Sequence, residues 1–143
     1  MAIWKIDVTP EAANARAQGT MVSHVGIEIT EIGPDFLTAR MPVDERTRQP
    51  MGILHGGASV VLSETVASLA ATFCVDPATS MCVGMEINAN HIRPVAKGHV
   101  TGTARPAHLG RTSQIWEVRI VDEAGKLVCI SRVTMAVVPK PAA

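Results

Sequence analysis

The sequence predicts an α+β fold in which an antiparallel sheet wraps around one long central helix. Residues 56–75 carry one continuous helical pattern of apolar and small residues. Alternating apolar and polar residues, the pattern of half-buried strands, occupy most of the chain on either side of this helix. One long helix is too few for a parallel doubly wound sheet, in which helices and strands alternate.

The first twenty residues are expected to form a short peripheral helix. Thr9 is suited to the N-cap position, Pro10 to the first turn, and Gly19 to the exit of the helix. Residues 21–43 then alternate between apolar and polar, with a break at residues 33–35, Gly-Pro-Asp. This pattern predicts two strands joined by a turn.

The central helix follows an irregular polar loop that covers residues 44–52. We expect the helix to begin near Gly56 and to stop before the pair Asp76-Pro77, because the residue that precedes a proline avoids helical geometry. Apolar residues recur at helical spacing, and the small residues between them predict a helix enclosed on nearly every side.

Four strands are expected after the helix. Their alternating patterns lie around residues 83–90, 100–104, 116–120 and 127–138. A turn is predicted at residues 122–125, Asp-Glu-Ala-Gly. In the first of these strands, one face is expected to carry Val83, Met85, Ile87 and Ala89.

Length and composition limit the kind of protein. A chain of 143 residues is long enough for one hydrophobic core, so residues 1–143 are expected to form a single domain. Hydrophobic residues make up 47% of the chain, and 13 basic side chains balance 13 acidic ones. Nucleic acid and membranes are therefore not expected partners. The apolar composition favours a homo-oligomer, because one small subunit would leave much of it exposed.

The cysteines point to a reducing environment. Cys74, Cys82 and Cys129 are odd in number, lie in apolar runs, and form neither a CxxC pair nor a cluster with histidine at metal-ligand spacing. They are expected to be reduced core residues, and no metal site is predicted. The chain shows no signal-peptide pattern and no run of 18 uninterrupted apolar residues, so a cytoplasmic location is expected.

Glu64 is the most informative single residue. It is the only fully charged residue between positions 49 and 75, and its neighbours are mostly apolar. A carboxylate in such surroundings is usually paired, protonated or chemically employed. Two interpretations remain open: a structural acid satisfied by His55 or a backbone donor, or a reactive group.

The sequence around this acid favours chemistry on a carbonyl. Residues 54–57, Leu-His-Gly-Gly, stand at the helix entrance, where backbone N–H groups lack intrahelical partners and carry partial positive charge. The Gly56 N–H is suited to hold an acyl oxygen as negative charge develops on it. Ser68 lies one turn beyond Glu64 on the same face. The side chains that flank the entrance loop are Gln49 and His55.

Two common enzyme classes are not supported. Residues 57–61 lack the closing glycine of a GxSxG nucleophile elbow, which argues against a serine hydrolase. The glycines further along do not assemble into a dinucleotide or P-loop fingerprint. No cofactor is therefore predicted.

Three segments in the same order, residues 49–64, 84–94 and 108–120, closely resemble the hotdog-fold acyl-CoA thioesterases. The similarity is strongest to the PaaI-like branch that hydrolyses aryl-CoA thioesters such as 4-hydroxybenzoyl-CoA and 1,4-dihydroxy-2-naphthoyl-CoA. It extends from about residue 21 to residue 138 and depends above all on the pattern LHGGxxxxLxE. The resemblance implies a hotdog fold, edge-to-edge homodimers with active sites at the interface, and association of dimers into a homotetramer.

The resemblance also implies roles for individual residues. Glu64 matches the catalytic carboxylate, Gly56 the backbone donor to the thioester carbonyl, and Ser68 the helper one turn beyond Glu64. Gln49 and His55 match the residues that flank the thioester. The resemblance implies that one subunit supplies Glu64 and Ser68 to a site. Its partner would supply Gln49, His55 and Gly56. The segments that resemble coenzyme A contacts contain Gly84, His91, Arg93, Gly110, Arg111, Thr112 and Ser113.

The leading hypothesis is an enzyme that hydrolyses an aromatic or medium-chain acyl-CoA to the free acid and CoA. Glu64 acts in it either as nucleophile or as general base. The acyl pocket is expected to include Val60, Val61 and Leu69. Two alternatives stay open at this stage: a hotdog dehydratase or hydratase acting on an acyl thioester, and a non-catalytic module that binds acyl-CoA.

Overall fold

The computed structural model describes residues 1–141, so positions 142–143 of the expected domain lie outside the described residues. Six antiparallel strands form one sheet in the order β1-β2-β4-β5-β6-β3, and the long helix α3 packs against it. The predicted fold is thereby confirmed. In chain order the elements are α1 (Pro10–Arg16), α2 (Met21–His24), β1 (Glu28–Ile32), β2 (Leu37–Pro42), α3 (Gly56–Phe73), β3 (Ser80–His91), β4 (His99–Leu109), β5 (Ser113–Val121) and β6 (Leu127–Pro139).

Helix α3 has the predicted bounds and one buried side. It starts at Gly56 and ends at Phe73, three residues before Asp76-Pro77. The expectation of a helix enclosed on nearly every side is wrong for the single chain, because the side that carries Glu64 faces an open cavity. Small side chains on the other side let the helix approach the sheet closely. The buried residues of α3 are Ser59, Leu62, Ser63, Val66, Ala67, Ala70, Ala71 and Phe73.

By length and composition alone, α3 would also qualify as a membrane-spanning helix. Its position explains the apolar composition without a membrane, since residues such as Leu62 and Val66 are fully buried between the helix and the sheet. The facing strands contribute Trp116, Val118 and Ile120, which share the buried face of β5 as predicted.

The N-terminal region differs from its prediction at one point. Thr9 caps α1 as expected, with its side chain accepting a hydrogen bond from the Ala12 N–H at 3.3 Å. Residues 21–24, expected to begin a strand, instead form the one-turn helix α2. Thr20 caps that turn by accepting a hydrogen bond from the Val22 N–H, and such capping outweighs a weak alternating pattern.

Strand β3 contains a β-bulge that reverses its predicted faces. Gly84 pairs with Met135 and Glu86 pairs with the next residue of β6, so Met85 is the extra residue. Gly84 therefore lies on the helix side beside buried Met135, whereas Val83 and Met85 are exposed. Placing Val83 and Met85 on the same face as Ile87 and Ala89 was wrong. The other two residues assigned to that face do pack against the core, namely Ile87 and Ala89.

Strand β3 is also an edge of the sheet. Within residues 1–141 it pairs with β6 on one side only, which leaves 12 residues of backbone without a neighbouring strand on the other. Met81, Val83 and Met85 add exposed apolar side chains along this strand. Long apolar edges of this kind readily pair with another strand.

The three cysteines are free thiols, as predicted. Cys129 is buried, and Cys74 and Cys82 are half-buried near the end of α3. Burial raises the pKa of the Cys74 thiol to about 12, and it raises the pKa values of the other two thiols as well. Thiols with raised pKa values are poor nucleophiles at neutral pH, so their role is packing.

Candidate active site

Glu64 and Ser68 form one hydrogen-bonded pair on the open side of α3. The Ser68 hydroxyl donates to Glu64 Oε1 at 3.0 Å. No cation within residues 1–141 forms a salt bridge with this carboxylate, and the alternative in which His55 satisfies it does not occur in the single chain. The half-buried carboxylate is thus held by one hydroxyl group and keeps its remaining lone pairs free for chemistry.

The pair opens into a cavity of about 600 Å³ between α3 and the N-terminal segment. The α3 residues that line it run from Glu64 to Phe73, and most of the lining is apolar. Leu69, one of the residues expected in the acyl pocket, lines this cavity. Val60 and Val61 are not among its lining residues, because they lie before Glu64 on the helix and outside the stretch that faces the N-terminal segment.

Gly84 lies directly against the carboxylate. A Cβ atom at this position would stand 2.6 Å from Glu64 Oε1, closer than any ordinary contact. The β-bulge after Gly84 is what brings this residue to the helix side of the sheet. Glycine is therefore required here for close approach, and the position of Gly84 beside Glu64 is a feature that the sequence did not reveal.

The entrance of α3 is capped by the side chain of His55. Its Nδ1 accepts a hydrogen bond from the Gly57 N–H at 2.7 Å, and its carbonyl oxygen accepts from the Ala58 N–H at 2.9 Å. The Gly56 N–H, in contrast, donates to no group within residues 1–141. It is an unpaired donor at the positive end of the helix dipole, which suits it to bind a polarised oxygen.

The cap gives a testable prediction for His55. We expect His55→Ala to lower the free energy of unfolding by about 1 kcal/mol, since an N-cap acceptor is lost. His55→Asn should restore most of that stability, because asparagine is a preferred N-cap residue. Urea denaturation of both variants measures the difference. An equal loss of unfolding free energy in His55→Ala and His55→Asn would show that the hydrogen bond from the Gly57 N–H does not stabilise the helix.

A second cavity, of about 350 Å³, lies at the entrance of α3. Gln49, Gly56, His91 and Arg93 all line it, so the structure brings together four of the predicted site residues. The His91 ring packs closely on Gly56, 3.0 Å from where a Cβ atom would stand. Gln49 Oε1 accepts a hydrogen bond from the Met51 N–H, which fixes the side chain in the loop.

The remaining predicted residues, 110–113, lie near the opposite end of α3 from its entrance. Residues 110–113 form the β4–β5 hairpin near the C-terminal end of α3, where Gly110 and Arg111 line a third cavity of about 490 Å³ with Lys5. The Thr112 carbonyl accepts a hydrogen bond from the Val137 N–H, and the Ser113 carbonyl accepts from the Gly110 N–H, both at 2.9 Å. Backbone groups of both residues thus stabilise the hairpin.

One chain therefore holds the predicted residues in three separate places. Glu64 follows Gly56 by eight residues on the same helix, which separates them by about 12 Å at a rise of 1.5 Å per residue. A single thioester carbonyl cannot touch both within one chain. The two groups could act on one carbonyl only if they belonged to different chains.

The position of the N-terminal segment beside this cavity was not predicted from the sequence. Residues from Ile6 to Val22 form the wall of the 600 Å³ cavity opposite α3. This segment carries no catalytic motif, and only its capping pattern and its alanines, Ala12, Ala13 and Ala17, set it apart. A run of small residues on a short helix is the one signal that would have indicated room for a ligand.

Comparison with known proteins identifies the family. The model of the Thioesterase superfamily matches residues 51–129, which include α3 and most of the sheet. The chain is 50% identical to 1,4-dihydroxy-2-naphthoyl-CoA hydrolase of Escherichia coli over 94% of this chain and 98% of that protein. It is 51% identical to the proofreading thioesterase EntH of Cronobacter turicensis, over 94% of this chain and 98% of that protein.

Solved structures give the same result. A thioesterase of Haemophilus influenzae superposes with a TM-score of 0.94 at 48% identity, covering 96% of this chain and 95% of that one. Similarity of this extent in sequence and structure shows more than a shared fold. The chain belongs to the Thioesterase superfamily, and it has the hotdog fold and the thioesterase character of that family.

Proposed function

We propose that the protein hydrolyses aromatic or medium-chain acyl-CoA thioesters at a site formed between two copies of the chain. The observation that carries this proposal is the Glu64 carboxylate, held by Ser68 at 3.0 Å where it lines a largely apolar cavity of about 600 Å³. A cavity of this kind suits an acyl group. The carboxylate lies where it could act on the thioester carbonyl carbon of an acyl group bound there.

The unpaired edge of β3 supports the two-chain site, because two such edges could pair with each other. Antiparallel pairing about a two-fold axis lays the His91 end of one strand beside the Ser80 end of the other. Because Gly56 packs against His91 and Glu64 packs against Gly84, Gly56 of the partner subunit then approaches Glu64 of this chain. The exposed apolar side chains of β3 favour the same pairing. Dimers of this kind would associate further into the predicted homotetramer.

The chemistry begins at the thioester carbonyl. The unpaired Gly56 N–H donates to the carbonyl oxygen, and this hydrogen bond strengthens as the oxygen becomes negative. Glu64 attacks the carbonyl carbon, the carbon–sulfur bond breaks, and CoA leaves as the thiolate. The product of this step is a mixed anhydride between the acyl group and Glu64.

Water completes the reaction. It adds to the anhydride, whose central carbon–oxygen bond breaks to give the free acid and the regenerated carboxylate of Glu64. In the alternative route, Glu64 removes a proton from the attacking water and forms no covalent bond. We favour the nucleophilic route, in line with the family resemblance. Both routes use the Gly56 N–H, the Glu64 carboxylate and water.

Cations near the two smaller cavities fit the coenzyme. Arg93 and His91 line the cavity at the entrance of α3, and Arg111 and Lys5 line the cavity at the hairpin. Pairing of β3 edges would bring the hairpin of one chain near the helix entrance of the other. Arginine binds phosphate bidentately, so this juxtaposition suits the phosphates of CoA.

The names of the relatives support an aromatic acyl group. One similar protein is a 1,4-dihydroxy-2-naphthoyl-CoA hydrolase, and the acyl group in its name is a bicyclic aryl group. Aryl and medium-chain groups are both largely apolar, as is the cavity beside Glu64. Measuring thiol release across a panel of aryl-CoA and alkyl-CoA esters identifies the preferred acyl group. Loss of enoyl absorbance without thiol release would indicate a hydratase instead.

Subunit mixing tests the shared site. Glu64→Ala and Gln49→Ala should each be nearly inactive alone, since each removes one half of every site. After denaturation and joint refolding, random pairing makes half of the dimers mixed, and one of the two sites in each is intact. Activity should then return to about a quarter of the wild-type value.

The mixing experiment has its own control. Two differently tagged copies of Glu64→Ala, refolded together and captured through both tags, verify that subunits exchange but should regain no activity. Verified exchange between Glu64→Ala and Gln49→Ala without any return of thiol release would contradict a site shared between chains. Light scattering of the wild-type protein gives the number of subunits.

A further inference from the structure

The wall of the 600 Å³ cavity opposite α3 is built by residues 6–22 of the same chain. Two anchors hold this segment in place. At its start, the Lys5 N–H donates to the Phe73 carbonyl at 2.8 Å, and the Trp4 Nε1–H donates to the Gly33 carbonyl at 2.7 Å. The rings of Trp4 and Phe73 also meet edge to face, with centroids 6.4 Å apart.

The second anchor is the side chain of Asn14. Its Oδ1 accepts a hydrogen bond from the Ile29 N–H at 2.7 Å, and its Nδ2 donates to the Ile29 carbonyl at 2.9 Å. Ile29 belongs to β1, an edge strand, so Asn14 takes the place of a neighbouring strand at this residue. The helix α1 is thereby fixed at one distance from α3, although seven residues alone would not form a stable helix.

Two charged side chains of the N-terminal segment, Asp7 and Arg16, line the cavity, whereas the hydroxyl groups of the lining are already hydrogen-bonded within the protein. The hydroxyls of Thr20, Thr65 and Thr72 each donate to a carbonyl of their own helix or turn, at 2.6 to 2.8 Å. Ser68 donates to Glu64. Apart from Glu64, Asp7 and Arg16, the space between the helices presents mainly methyl and methylene groups, and it distinguishes apolar acyl groups mainly by size.

Small alanine side chains on the wall leave space in the cavity. Ala12, Ala13 and Ala17 of the α1 region all line the cavity, and a larger side chain at any of them would project towards α3. Ala13 is buried, whereas Ala12 is exposed and Ala17 is half-buried. Asn14 holds α1 against β1. A larger side chain at Ala12 or Ala17 should therefore reduce the volume of the cavity.

We propose that the α1 wall sets the upper size limit of the acyl group, with Ala17 as a specificity-determining residue and Asn14 as its positioning residue. This inference rests on the proposed function, since it takes the 600 Å³ cavity as the acyl site. The substrates it implies are thioesters of apolar acyl groups, in which a bicyclic aryl group fits and makes contact with α1, and a single ring does not reach Ala17.

The test uses Ala17→Leu and a matched control, Ala15→Leu. Ala15 lies in α1, two residues before the C-cap residue Ala17, but it is exposed and does not line the cavity. We expect Ala17→Leu to lower kcat/KM for naphthoyl-CoA by at least about tenfold while that for benzoyl-CoA changes by less than about threefold. The control should leave the ratio of the two values as in the wild type.

Two further variants keep the proposal falsifiable if Ala17→Leu folds poorly. Ala12→Leu adds the same volume at an exposed position of the wall and should shift the ratio in the same direction. Asn14→Ala should bring the ratio of kcat/KM for naphthoyl-CoA to kcat/KM for benzoyl-CoA closer to one, because α1 is no longer held against β1. Asn14→Asp keeps the acceptor for the Ile29 N–H and should restore part of the wild-type ratio.

Folded Ala17→Leu and Ala12→Leu proteins with the wild-type ratio of naphthoyl-CoA to benzoyl-CoA would overturn the inference about the wall. Such a result would leave the proposed function intact, since both esters would still be hydrolysed. Failure of the wild-type protein to release thiol from either ester, or from any ester of the panel, would overturn the proposed function itself.

Discussion

Replacing Glu64 with glutamine should reduce kcat by about a thousandfold or more, since the variant lacks both a nucleophilic carboxylate and a general base. Glutamine keeps the size of the side chain, and its Oε1 still accepts the hydrogen bond from Ser68 that the structure shows at 3.0 Å. The fold and the cavity should therefore persist. Release of free CoA thiol from an aryl-CoA ester at saturating concentration measures the effect.

Glu31→Gln is the matched control. Glu31 is an exposed carboxylate on the edge strand β1 and does not line the cavity beside Glu64, so its replacement should leave kcat unchanged. Thermal unfolding and light scattering verify that Glu64→Gln keeps the stability and subunit number of the wild type. Turnover by Glu64→Gln within tenfold of the wild-type rate, in a folded protein, would remove this carboxylate from the mechanism.

The same residue separates the two routes of hydrolysis. If a mixed anhydride forms and water attacks its Glu64 carbonyl, many turnovers in ¹⁸O-labelled water place the label in the Glu64 carboxylate. If Glu64 only deprotonates water, the label appears in the released acid alone. Mass spectrometry of the peptide that contains Glu64 reads the difference, and hydroxylamine trapping of the enzyme under turnover detects an anhydride attacked at its acyl carbon.

Local sequence signals determined much of the fold. The bounds of α3 follow from the glycine pair at its start and from Asp76-Pro77 beyond its end, which act through backbone geometry. The buried face of β5, with Trp116, was predicted because alternation in a strand directly reflects burial. Such signals depend on neighbouring residues only, and they hold wherever tertiary contacts do not oppose them.

The errors come from effects that depend on distant residues or on one local detail. The bulge at Met85 changes the faces of β3, and its position is set by pairing with β6 rather than by the residues of β3. The turn of helix at 21–24 forms because Thr20 supplies a cap, a stronger influence than the alternation around it. Neither outcome follows from hydrophobic periodicity.

The candidate site was predicted as a set of residues but not as an arrangement. The spacing predicted that Ser68 and Glu64 lie on the same face, since residues four apart on a helix are neighbours. The hydrogen bond between them is a finding of the structure. That Gly84 lies against Glu64, and that α1 closes the cavity, depends on how separate elements pack. The distance of about 12 Å between Gly56 and Glu64 follows from helix geometry alone, and it is the strongest reason to expect a two-chain site.

Replacing Gly84 with alanine should lower kcat by about a hundredfold, because the new Cβ displaces the carboxylate that performs the reaction. The methyl group would stand 2.6 Å from Glu64 Oε1, so the carboxylate must move or β3 must shift. A displacement of about 1 Å in a catalytic group is sufficient for a loss of this size. The KM should change less, since the cavity that holds the acyl group is not lined by Gly84.

A double-mutant cycle shows whether Gly84 acts through Glu64. Gly84→Ala should lower the melting temperature of the wild type, since the contact at 2.6 Å strains the fold, but should do so less in a Glu64→Ala background, where no carboxylate opposes the methyl group. Measuring stability in both backgrounds separates this effect from general damage to an edge strand. Equal destabilisation in the two backgrounds, or full kcat in Gly84→Ala, would mean that the absence of a side chain at position 84 is not what positions the carboxylate.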